Sequence, residues 1–331
     1  MFPYQELEEK YAKFVGTDYA CATNTGTAAL HLAIEALEMP NDTQVIVPDF
    51  SMYASALAVH YARLTPVFID CDENLLIDLD KVEKHFDMTV NKWRTRILMV
   101  THVYGRTVDM DRVNYIAKKY KLRVIEDACE AQGAEIGTKL GQAGGYDIGC
   151  FSFYRNKIIH AEEGGIITSD DKAFIEKAQD MKNMSFGDKH NYYHKRIGFN
   201  YRMSDAQAKM ALESLEQYNI NMFKRHKMCE IYNEIIPEEY QMPNNRKAVW
   251  VYDMKHPNPD TMVKLLNSGG ITARHSFKPL SKQPLFDHWV PNHVAKTMSE
   301  SVFYVNINPL EHLSEVRHKA FEIKRLLDDW K

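Results

Sequence analysis

The chain has 331 residues, of which 45% are hydrophobic and 26% charged, and its formal net charge is −4 with a pI near 6.4. This length exceeds one typical core, so a large domain with a smaller one is expected, and the ordinary composition excludes disordered and fibrous proteins. The slightly acidic balance offers no basic surface for a nucleic-acid backbone, and no apolar run approaches the roughly 20 residues of a membrane span.

Two further exclusions concern location and metal ions. The N-terminal stretch MFPYQELEEKYAKF lacks the apolar core of a signal peptide, so a cytoplasmic protein is expected. The five cysteines are odd in number, widely spaced and free of C-x-x-C pairs, which favours neither disulfides nor a zinc site. The 14 histidines are scattered without the spacing of metal ligands, so no metal ion is expected.

The first part of the chain alternates helical and strand-like patterns. Helical stretches are ELEEKYAKFVG, TAALHLAIEALEM, SALAVHYARL and MDRVNYIAKKYK. Strand-like stretches are YACATN, QVIVP, PVFID, TRILMVTHVYG, RVIEDA, DIGCFSF and GGIITSD. Alternation at this spacing predicts βαβ units and an α/β domain with a mostly parallel central sheet.

The second part of the chain begins after a long helical pattern. The stretch SDAQAKMALESLEQYNINMFKRHKMCEIYNEII predicts one helix of about ten turns that bridges two domains. Shorter elements follow: a strand in AVWVYDMKH, a helix in PDTMVKLLNSG that Gly269 ends, a strand in ITARHSF and a closing helix in SEVRHKAFEIKRLLDDW. The predicted boundary lies near Ile236, with a large domain at 1–236 and a small α+β domain at 237–331.

Polar residues follow several predicted strands, where an open α/β sheet binds its ligands. In NTGTAALHLA, Thr25, Gly26 and Thr27 precede a helix whose free N–H groups suit a phosphate, and an ordinary threonine N-cap is the alternative. In RVIEDACEAQGA a strand ends at Asp127, which is placed to pair with the protonated pyridine nitrogen of pyridoxal phosphate.

A lysine follows the next strand along the chain. The strand DIGCFSF presents Ser152 and then, on a turn, Lys157. Such a lysine is ordinarily a solvated cation whose stem lies over apolar neighbours. Among apolar groups and beside a cationic cofactor, the pKa of a lysine amine instead falls below its usual value of about 10.4, and the amine becomes a nucleophile for a Schiff base. In IGFNYRMSDAQA, Asn200, Tyr201 and Arg202 are placed to reach an anion across a subunit boundary.

In this order the motifs resemble those of the DegT/StrS family of nucleotide-sugar aminotransferases, which are fold type I pyridoxal phosphate enzymes. The resemblance covers roughly Leu7 to Tyr232, with a weaker echo in RHSFKPLSKQPLF. The matching segments are TGTAALHLA, VIVPDFSMYASA, TPVFIDCDE, VYGRTVDMD, VIEDACEAQGA, FSFYRNKIIHAEEGG and GFNYRMSDAQA.

The resemblance implies roles for the cofactor residues. Lys157 would form the internal aldimine and then move protons between the substrate carbon and the cofactor, and Asp127 would pair with the pyridine nitrogen. Asn200 would reach the phosphate in the neighbouring subunit, which implies a homodimer with shared active sites. Glu130 takes the place of a frequent family glutamine near the phenolic oxygen. The residues implied to hold the cofactor phosphate are Gly26, Thr27 and Ser152.

Three features depart from the family pattern. Relatives usually have an aromatic ring that stacks on the cofactor where this chain has Met52, with Tyr53 next to it. Glu162 stands where relatives have glycine, which adds a charge and restricts the turn. Most relatives have a helix and a glycine-containing loop before the first residue of this chain, which implies a different grip on the diphosphate.

Candidate substrate residues follow from the same resemblance, with surface or packing roles as the alternative. They are His102, Tyr104, Asn156, Lys195 and Arg196. The last two belong to the run HNYYHKR, and either of these cations, or the partner subunit, would compensate for the loop that usually helps to hold the diphosphate.

The resemblance implies amination of a nucleotide-linked 4-keto-6-deoxy hexose at C4, with glutamate as the amino donor. C4 is favoured because MKNMSFGDKHNYYHKRIGFNYRM resembles perosamine- and viosamine-type synthases. One alternative is a sugar 3-dehydratase with the same cofactor, although the relatives of that kind have histidine in place of Lys157. The other is a non-catalytic protein that kept the fold, which Met52 and Glu162 motivate and the retained cofactor residues oppose.

Overall fold

In the computed structural model the described residues are 2–136, 138–139, 147–187, 192–286 and 292–329. The helices in these ranges are α1 (Pro3–Val15), α2 (Gly26–Ala36), α3 (Tyr53–Tyr61), α4 (Leu79–Met88), α5 (Met110–Tyr120), α6 (Lys172–Lys182), α7 (Asp205–Glu216), α8 (Tyr218–Ile235), α9 (Pro259–Ser268), α10 (His293–Ser301) and α11 (Leu313–Asp328). The strands are β1 (Tyr19–Thr23), β2 (Gln44–Pro48), β3 (Thr65–Ile69), β4 (Thr95–Thr101), β5 (Arg123–Asp127), β6 (Glu135–Ile136), β7 (Thr138–Lys139), β8 (Asp147–Ser152), β9 (Gly165–Ser169), β10 (Val251–Lys255), β11 (Ala273–His275) and β12 (Val302–Asn306).

The first sheet is mostly parallel. Its strand order among the described residues is β1-β9-β8-β5-β4-β2-β3, and the neighbours from β8 to β3 are parallel. Only β9 runs against both of its neighbours in this part of the chain. The predicted α/β fold with a mostly parallel central sheet is therefore confirmed, and the carboxyl ends of β4, β5 and β8 meet at one edge.

Alternate residues of the central strands pack on opposite faces of this sheet. Ile46 and Val124 belong to one buried cluster, whereas Val45 and Ile125, each one residue away, belong to the other. Strands that are buried on both faces read as continuous apolar runs, which is the pattern of QVIVP and of the start of RVIED. None of the described helices is long and apolar enough to cross a membrane.

The long helix predicted after Ser204 is two helices. Helix α7 ends at Glu216, and α8 begins at Tyr218 after Gln217, whose ψ is −1°. The break lets the Tyr218 ring pack edge-on against Phe14, with 4.8 Å between the ring centroids. The stretch contains no glycine or proline, so this tertiary contact left no local signal for a break.

A second sheet, β10-β12-β11, is antiparallel and lies in the C-terminal part of the chain. Gly269 caps α9 as predicted. The central strand β12 was not predicted, although the run VFYV consists of β-branched and aromatic residues and is followed by Asn308 and Pro309. Helices α4, α6 and α10 were also not predicted. The domain boundary near Ile236 stays a prediction.

Buried carboxylates join the C-terminal segment to the first sheet. Asp49 accepts hydrogen bonds from the backbone N–H and the hydroxyl of Ser281, both at 2.8 Å, and from Asn292 Nδ2 at 2.9 Å. Asp70 accepts from the N–H groups of Val294 and Ala295 in the first turn of α10. These hydrogen bonds and Lys81 lower the pKa of Asp70 against the opposing effect of burial.

A third buried carboxylate joins β10 to the loop after β4. Asp253 on β10 forms an ion pair with Arg106, with 2.9 Å between Oδ2 and Nη1, and a second one with Arg246. All three side chains are almost completely buried. The two guanidinium groups hold the pKa of Asp253 below its usual value even though burial acts to raise it. A buried ion pair thus joins the second sheet to the loop after β4.

Candidate active site

A cavity of about 390 Å³ lies at the carboxyl edge of the first sheet. Its walls come from the start of α2, the ends of β4, β5 and β8, and the second sheet. The sequence-predicted residues that line it are Gly26, Thr27, Met52, Asp127, Glu130, Ser152, Asn156 and Lys157. The predicted residues that do not line it are Tyr53, His102, Tyr104, Lys195, Arg196 and Asn200.

The first turn of α2 faces this cavity. Thr25 is the N-cap, and its hydroxyl accepts the N–H of Ala28 at 3.0 Å. Gly26 and Thr27 follow, and as first-turn residues their N–H groups have no acceptor within the helix. The alternative of a threonine N-cap is therefore observed at Thr25, and the next two N–H groups remain available for an anion, so the phosphate site stays a prediction.

Close approach explains why residue 26 is glycine. A Cβ on Gly26 would lie 2.7 Å from Ser152 Cβ and 3.0 Å from Ser152 Oγ. The glycine therefore lets the helix start come into contact with the end of β8, which places a hydroxyl beside the free N–H groups. A helix N-terminus with an adjacent hydroxyl is a suitable binding site for a phosphate.

Asp127 stands at the end of β5 within a chain of hydroxyl groups. Ser55 Oγ donates to Asp127 Oδ2 at 2.9 Å, and the N–H of Cys129 donates to Oδ1 at 3.2 Å. Ser51 Oγ lies 3.0 Å from Ser55 Oγ and donates to Thr101 Oγ1. The sequence analysis did not identify Ser55, whose position two residues after Tyr53 in α3 aims it at the neighbouring strand ends. These contacts hold the Asp127 carboxyl group in a fixed orientation.

Lys157 enters the cavity from the turn after β8. Only 8% of the residue is exposed, so the ordinary reading as a solvated surface cation does not hold. Its Nζ lies 3.6 Å from Glu130 Oε1 and 3.8 Å from the centroid of the Trp250 ring. The indole Nε1 in turn donates to the carbonyl of Asn156 at 2.8 Å, which fixes the Trp250 ring.

Gln132 holds the turn that carries Lys157. Its Nε2 donates to the carbonyls of Ser152 and Ile159, each at 3.1 Å, and its Oε1 accepts the N–H of Ile159 at 2.8 Å. The same turn contains Glu162, whose φ of 57° lies in the left-handed region. Glycine adopts this backbone angle at lower cost than other residues, and the Glu162 side chain lies 3.4 Å from Arg155 Nε.

Glu130 is a buried carboxyl group next to Lys157. Its Oε2 accepts the backbone N–H of Tyr104 at 3.1 Å. Burial raises the pKa of Glu130 to about 7, against the opposing effects of Lys157 and of the Tyr104 N–H. The group is therefore able to hold a proton near neutral pH within reach of the lysine amine.

Met52 and Tyr53 point in different directions. Met52 lines the cavity, with 48% of the residue exposed, and its sulfur accepts the N–H of Ala54. The Tyr53 ring packs toward Phe286, with 6.3 Å between the centroids. A thioether, rather than an aromatic ring, thus occupies the cavity wall at this point in the chain.

The candidate substrate residues divide into those near and those away from the cavity. Asn156 lines it, and among the described residues its Oδ1 has no hydrogen-bond partner. His102 is fully buried, accepts the N–H of Val108 at Nδ1 and lies 2.9 Å from Glu126 at Nε2. Because Nδ1 accepts, Nε2 carries the proton and donates to Glu126. This pair supports the strand ends from behind the cavity wall.

Tyr104 also lies behind the cavity wall. It is fully buried, has a φ of 52° and packs its ring against Phe277 and Tyr304, both at 5.3 Å between centroids. Arg196 lies 3.6 Å from Glu38 and 3.8 Å from Asp180, on the surface. Residues 190 and 191 of the run HNYYHKR lie outside the described residues.

The loop that contains Asn200 lies next to the N-terminal end of α2 but faces outward. The N–H of Asn24 donates to the carbonyl of Tyr201 at 2.9 Å, while Asn200 itself is exposed. Lys195 is exposed as well. Asn200 therefore lies outside the cavity that the structure describes.

The wall opposite the first sheet was not predicted from the sequence. It consists of Trp250, Arg274, Phe277 and Tyr304. Arg274 and Tyr304 belong to β11 and β12, Trp250 directly precedes β10, and Phe277 follows β11. Arg274 and Tyr304 are register partners on β11 and β12. No local motif marks these residues, because antiparallel pairing brings them together from positions 30 residues apart.

The residues present fit pyridoxal phosphate. The free N–H groups of Gly26 and Thr27 and the Ser152 hydroxyl suit its phosphate, and the oriented Asp127 carboxylate suits a protonated ring nitrogen. The buried amine of Lys157 is the available nucleophile for its aldehyde. The chemistry that this arrangement supports is transfer of an amino group with proton movement at one carbon.

Comparisons with known proteins agree with this geometry. Residues 3–319 match the sequence profile of the DegT/DnrJ/EryC1/StrS aminotransferase family. The chain is 33% identical over 296 residues to GDP-perosamine synthase of Caulobacter vibrioides, a match that spans 86% of this chain and 78% of the relative. It is 32% identical to the putative pyridoxal phosphate-dependent aminotransferase EpsN of Bacillus subtilis, over 85% of this chain and 75% of the relative.

Two further comparisons cover almost the whole chain. A UDP-N-acetyl-3-dehydro-alpha-D-glucosamine 3-aminotransferase of Acidithiobacillus ferrooxidans is 30% identical, over 97% of this chain and 88% of the relative. The crystal structure of DesV from S. venezuelae with a ketimine intermediate superposes with a TM-score of 0.88 at 26% identity, over 99% of this chain and 89% of that one. The expectation of a fold type I, pyridoxal phosphate-dependent aminotransferase is confirmed, and the chain belongs to the DegT/DnrJ/EryC1/StrS aminotransferase family.

Proposed function

We propose that this protein transfers an amino group from glutamate to C4 of a nucleotide-linked 4-keto-6-deoxy hexose. The observation that carries the proposal is the buried Lys157 amine, which lies between Glu130 and the Trp250 ring in the same cavity as Asp127. A lysine so placed is competent for proton transfer at a substrate carbon.

The residues of the first sheet take the cofactor roles. Gly26, Thr27 and Ser152 bind the phosphate, and Asp127 keeps a proton on the ring nitrogen. When bound, pyridoxal phosphate supplies the electron sink for the deprotonated carbon. Lys157 takes a proton from one carbon and returns it to another.

Neighbouring residues tune this proton transfer. Glu130, with its pKa raised to about 7, exchanges a proton with the Lys157 amine across 3.6 Å. Ser55 orients Asp127 by its hydrogen bond of 2.9 Å. Burial of these groups excludes water and strengthens their electrostatic effect.

The substrate proposal rests on the relatives and on the motifs. Names among them include GDP-perosamine synthase, which supports a nucleotide-linked sugar and C4, and a 3-aminotransferase, which makes C3 the contrasting position. The C4 assignment follows the resemblance of the segment that ends in GFNYRM to perosamine-type synthases. The aromatic wall of Trp250, Phe277 and Tyr304 is of the kind that packs against a hexose ring.

A homodimer with shared active sites is part of this proposal. Asn200 is exposed beside the N-terminal end of α2. In this position it suits the cofactor phosphate in a second subunit better than the cofactor phosphate in its own subunit. The exposed side chains of Tyr192 and Tyr193 lie in the same loop region and suit burial against another chain. The expected oligomer is therefore a dimer, which sedimentation velocity can measure.

The test is incubation of the purified enzyme and glutamate with UDP-, GDP- and dTDP-linked 4-keto-6-deoxy sugars, followed by NMR location of the nitrogen. The expected product carries the amino group at C4. Amination at C3 would replace the C4 assignment, and loss of the C3 hydroxyl without nitrogen gain would identify a dehydratase. A protein that stays colourless with added cofactor and transfers no nitrogen would contradict the proposal as a whole.

A further inference from the structure

Asn200 lies in a short extended segment, and the residues on either side of it are aromatic. The N–H groups of Phe199 and Tyr201 donate to the carbonyls of the last two residues of α6, and Asn200 forms an antiparallel bridge with Asn183. Side chains of an extended segment alternate between two faces. Phe199 and Tyr201 accordingly pack against the buried core, whereas Asn200 between them is exposed. The direction of Asn200 is therefore set by the packing of its two neighbours.

These two aromatic rings pack on a buried histidine of α2. The Phe199 and Tyr201 rings stack with 5.1 Å between their centroids and lie 4.9 and 5.9 Å from the His31 ring. The Nδ1 atom of His31 lies 3.0 Å from the Tyr201 hydroxyl oxygen. Glu35 Oε1 lies 3.3 Å from Nε2, which favours a proton on Nε2 and leaves Nδ1 to accept the hydroxyl. We call His31, Phe199 and Tyr201 the aromatic clamp.

Helix α2 thus contacts groups that the proposed function assigns to two different active sites. Its first turn, with Gly26 and Thr27, faces the cavity of its own chain. His31 comes five residues after Gly26 and holds the segment of Asn200, which under the proposed function reaches the cofactor phosphate of the partner subunit. Neither His31 nor Tyr201 lines the cavity of the described chain, so neither contacts the cofactor of its own subunit.

We propose that His31 and Tyr201 are positioning residues for the active site of the partner subunit. They act through Asn200 and touch neither cofactor nor substrate. An asparagine on an unrestrained loop has to be ordered each time it binds a phosphate, whereas the clamp fixes the backbone of Asn200 beforehand. The inference rests on the dimer with shared active sites in the proposed function. Its test requires neither a nucleotide sugar nor an amino donor.

Titration of cofactor-free protein with pyridoxal phosphate measures the Kd from the visible band of cofactor bound through Lys157. Tyr201→Phe removes only the hydroxyl and should weaken binding about fivefold, because one hydrogen bond is lost. Tyr201→Leu also removes the stacked ring. The contribution of Asn200 to the phosphate should then be lost, which is about 10- to 100-fold for a hydrogen bond to a charged group. Adding Tyr201→Phe to His31→Leu should have no further effect, because both remove the same hydrogen bond.

Tyr61→Phe is the matched control. The Tyr61 ring also packs edge-on against His31, with 5.7 Å between the centroids, but it belongs to α3 and not to the segment of Asn200. This variant should leave the Kd unchanged. Circular dichroism of all variants checks that the fold is intact.

Hybrid dimers identify the subunit whose site depends on the clamp. Two chains with different affinity tags are co-expressed, and one carries Lys157→Ala, so that only the Lys157 of the other chain gives the visible band. In the first hybrid, Tyr201→Leu is in the chain that keeps Lys157. In the second, it is in the chain with Lys157→Ala. The first hybrid should bind the cofactor as a hybrid without Tyr201→Leu does, and the second should show the weaker Kd.

The reverse pattern would overturn the inference, because it would mean that Tyr201 acts on the site of its own chain through α2. Equal weakening in both hybrids would overturn it as well, since a general loss of structure affects both sites. A protein that sediments as a monomer at the concentrations of the titration would also contradict it. An enzyme that gives the expected pattern but aminates no sugar would contradict the proposed function alone, while the hybrids would still support the role of the clamp.

Discussion

The two walls of the cavity are built in different ways. The wall from the first sheet consists of groups at the ends of parallel strands and at the start of a helix, where the backbone itself supplies donors and directs Asp127, Ser152 and Lys157. The wall from the second sheet consists of side chains, Trp250 and Arg274 among them, on short antiparallel strands and adjoining segments. Under the proposed function, cofactor chemistry depends on the first wall and recognition of the reactants on the second, so substitutions in the two walls should have different kinetic effects.

The largest effect is expected for Lys157→Ala. Removal of the amine should lower turnover by about 10²- to 10⁴-fold, because no other described lysine lines the cavity to transfer the proton. Single-turnover absorbance with glutamate measures the change, and borohydride reduction should no longer fix the cofactor to the chain. Lys278→Ala, which removes a lysine outside the cavity, should behave as wild type. Turnover of Lys157→Ala within tenfold of wild type would contradict the role.

Two substitutions test the first wall. One is at Asp127, which pairs with the cofactor under the proposed function, and the other is at Ser55, which donates a hydrogen bond to Asp127. Asp127→Asn should lower kcat by about 100-fold, because the ring nitrogen loses its charged partner. Ser55→Ala should lower kcat by about tenfold, since one hydrogen bond of 2.9 Å to this carboxylate is lost. Steady-state kinetics should show both changes in kcat, with KM for glutamate almost constant. A larger loss for Ser55→Ala than for Asp127→Asn would contradict this order.

Glu130 should make the stability of the cofactor-free protein depend on pH. Its pKa is raised from 4.5 to about 7, so its contribution to the free energy of unfolding is fully present below about pH 4.5 and is lost as the pH rises through 7. Urea unfolding of wild type and Glu130→Gln across this interval should show a difference that falls by on the order of 2 kcal/mol. A difference that is constant with pH would show that folding does not raise the pKa of Glu130.

Trp250 tests the second wall. Trp250→Phe keeps an aromatic face for Lys157 but loses the bond of 2.8 Å to the Asn156 carbonyl, which should cost about 1 kcal/mol, or roughly fivefold in kcat/KM. Trp250→Leu also loses the interaction between the amine and the ring, and a larger fall is expected. Kinetics with the keto sugar varied measure both. Equal effects of the two variants would mean that the aromatic face contributes nothing.

The smallest effect is expected at Glu162, in the turn that carries Lys157. Glu162→Gly should raise the free energy of unfolding by about 1 kcal/mol, because the φ of 57° costs less for glycine. The exposed contact with Arg155 contributes little against this gain. Glu162→Ala removes the same contact and keeps the backbone cost, so it serves as the control and should not stabilise. Chemical denaturation at constant pH measures both variants.

The residues of the first wall were predictable because each of them adjoins a strand or helix with a clear local pattern in the sequence. Asp127 and Lys157 come after apolar strands, and Gly26 comes at a helix start, so strand order alone brings them together. The second wall requires the register of β11 on β12, and register between distant strands has no signature in a single sequence. The break at Gln217 was missed for a similar reason, since the contact of Tyr218 with Phe14 lies outside the helix.

The directions of Met52 and Tyr53 also needed the structure. Both residues begin α3, and a shift of one residue at a helix start exchanges which side chain enters the cavity. The sequence showed that the expected aromatic position holds methionine, but not that Tyr53 turns toward Phe286. The resemblance identified the family correctly, while the orientation depended on the packing of this chain.

The buried carboxylates that join the two sheets have a consequence for protein engineering. Exchange of the C-terminal segment between relatives is an obvious route to chimaeras with new sugar preferences, because that segment supplies the second wall. Asp49, Asp70 and Arg106, however, remain in the recipient and bind partners in the donated segment. A graft that lacks Asp253 would leave the buried charge of Arg106 unpaired, at a cost of several kcal/mol. A graft that lacks Ser281 or the start of α10 would remove hydrogen bonds from the buried carboxyl groups of Asp49 and Asp70. Productive chimaeras therefore have to exchange Asp49, Asp70 and Arg106 together with the C-terminal segment that binds them.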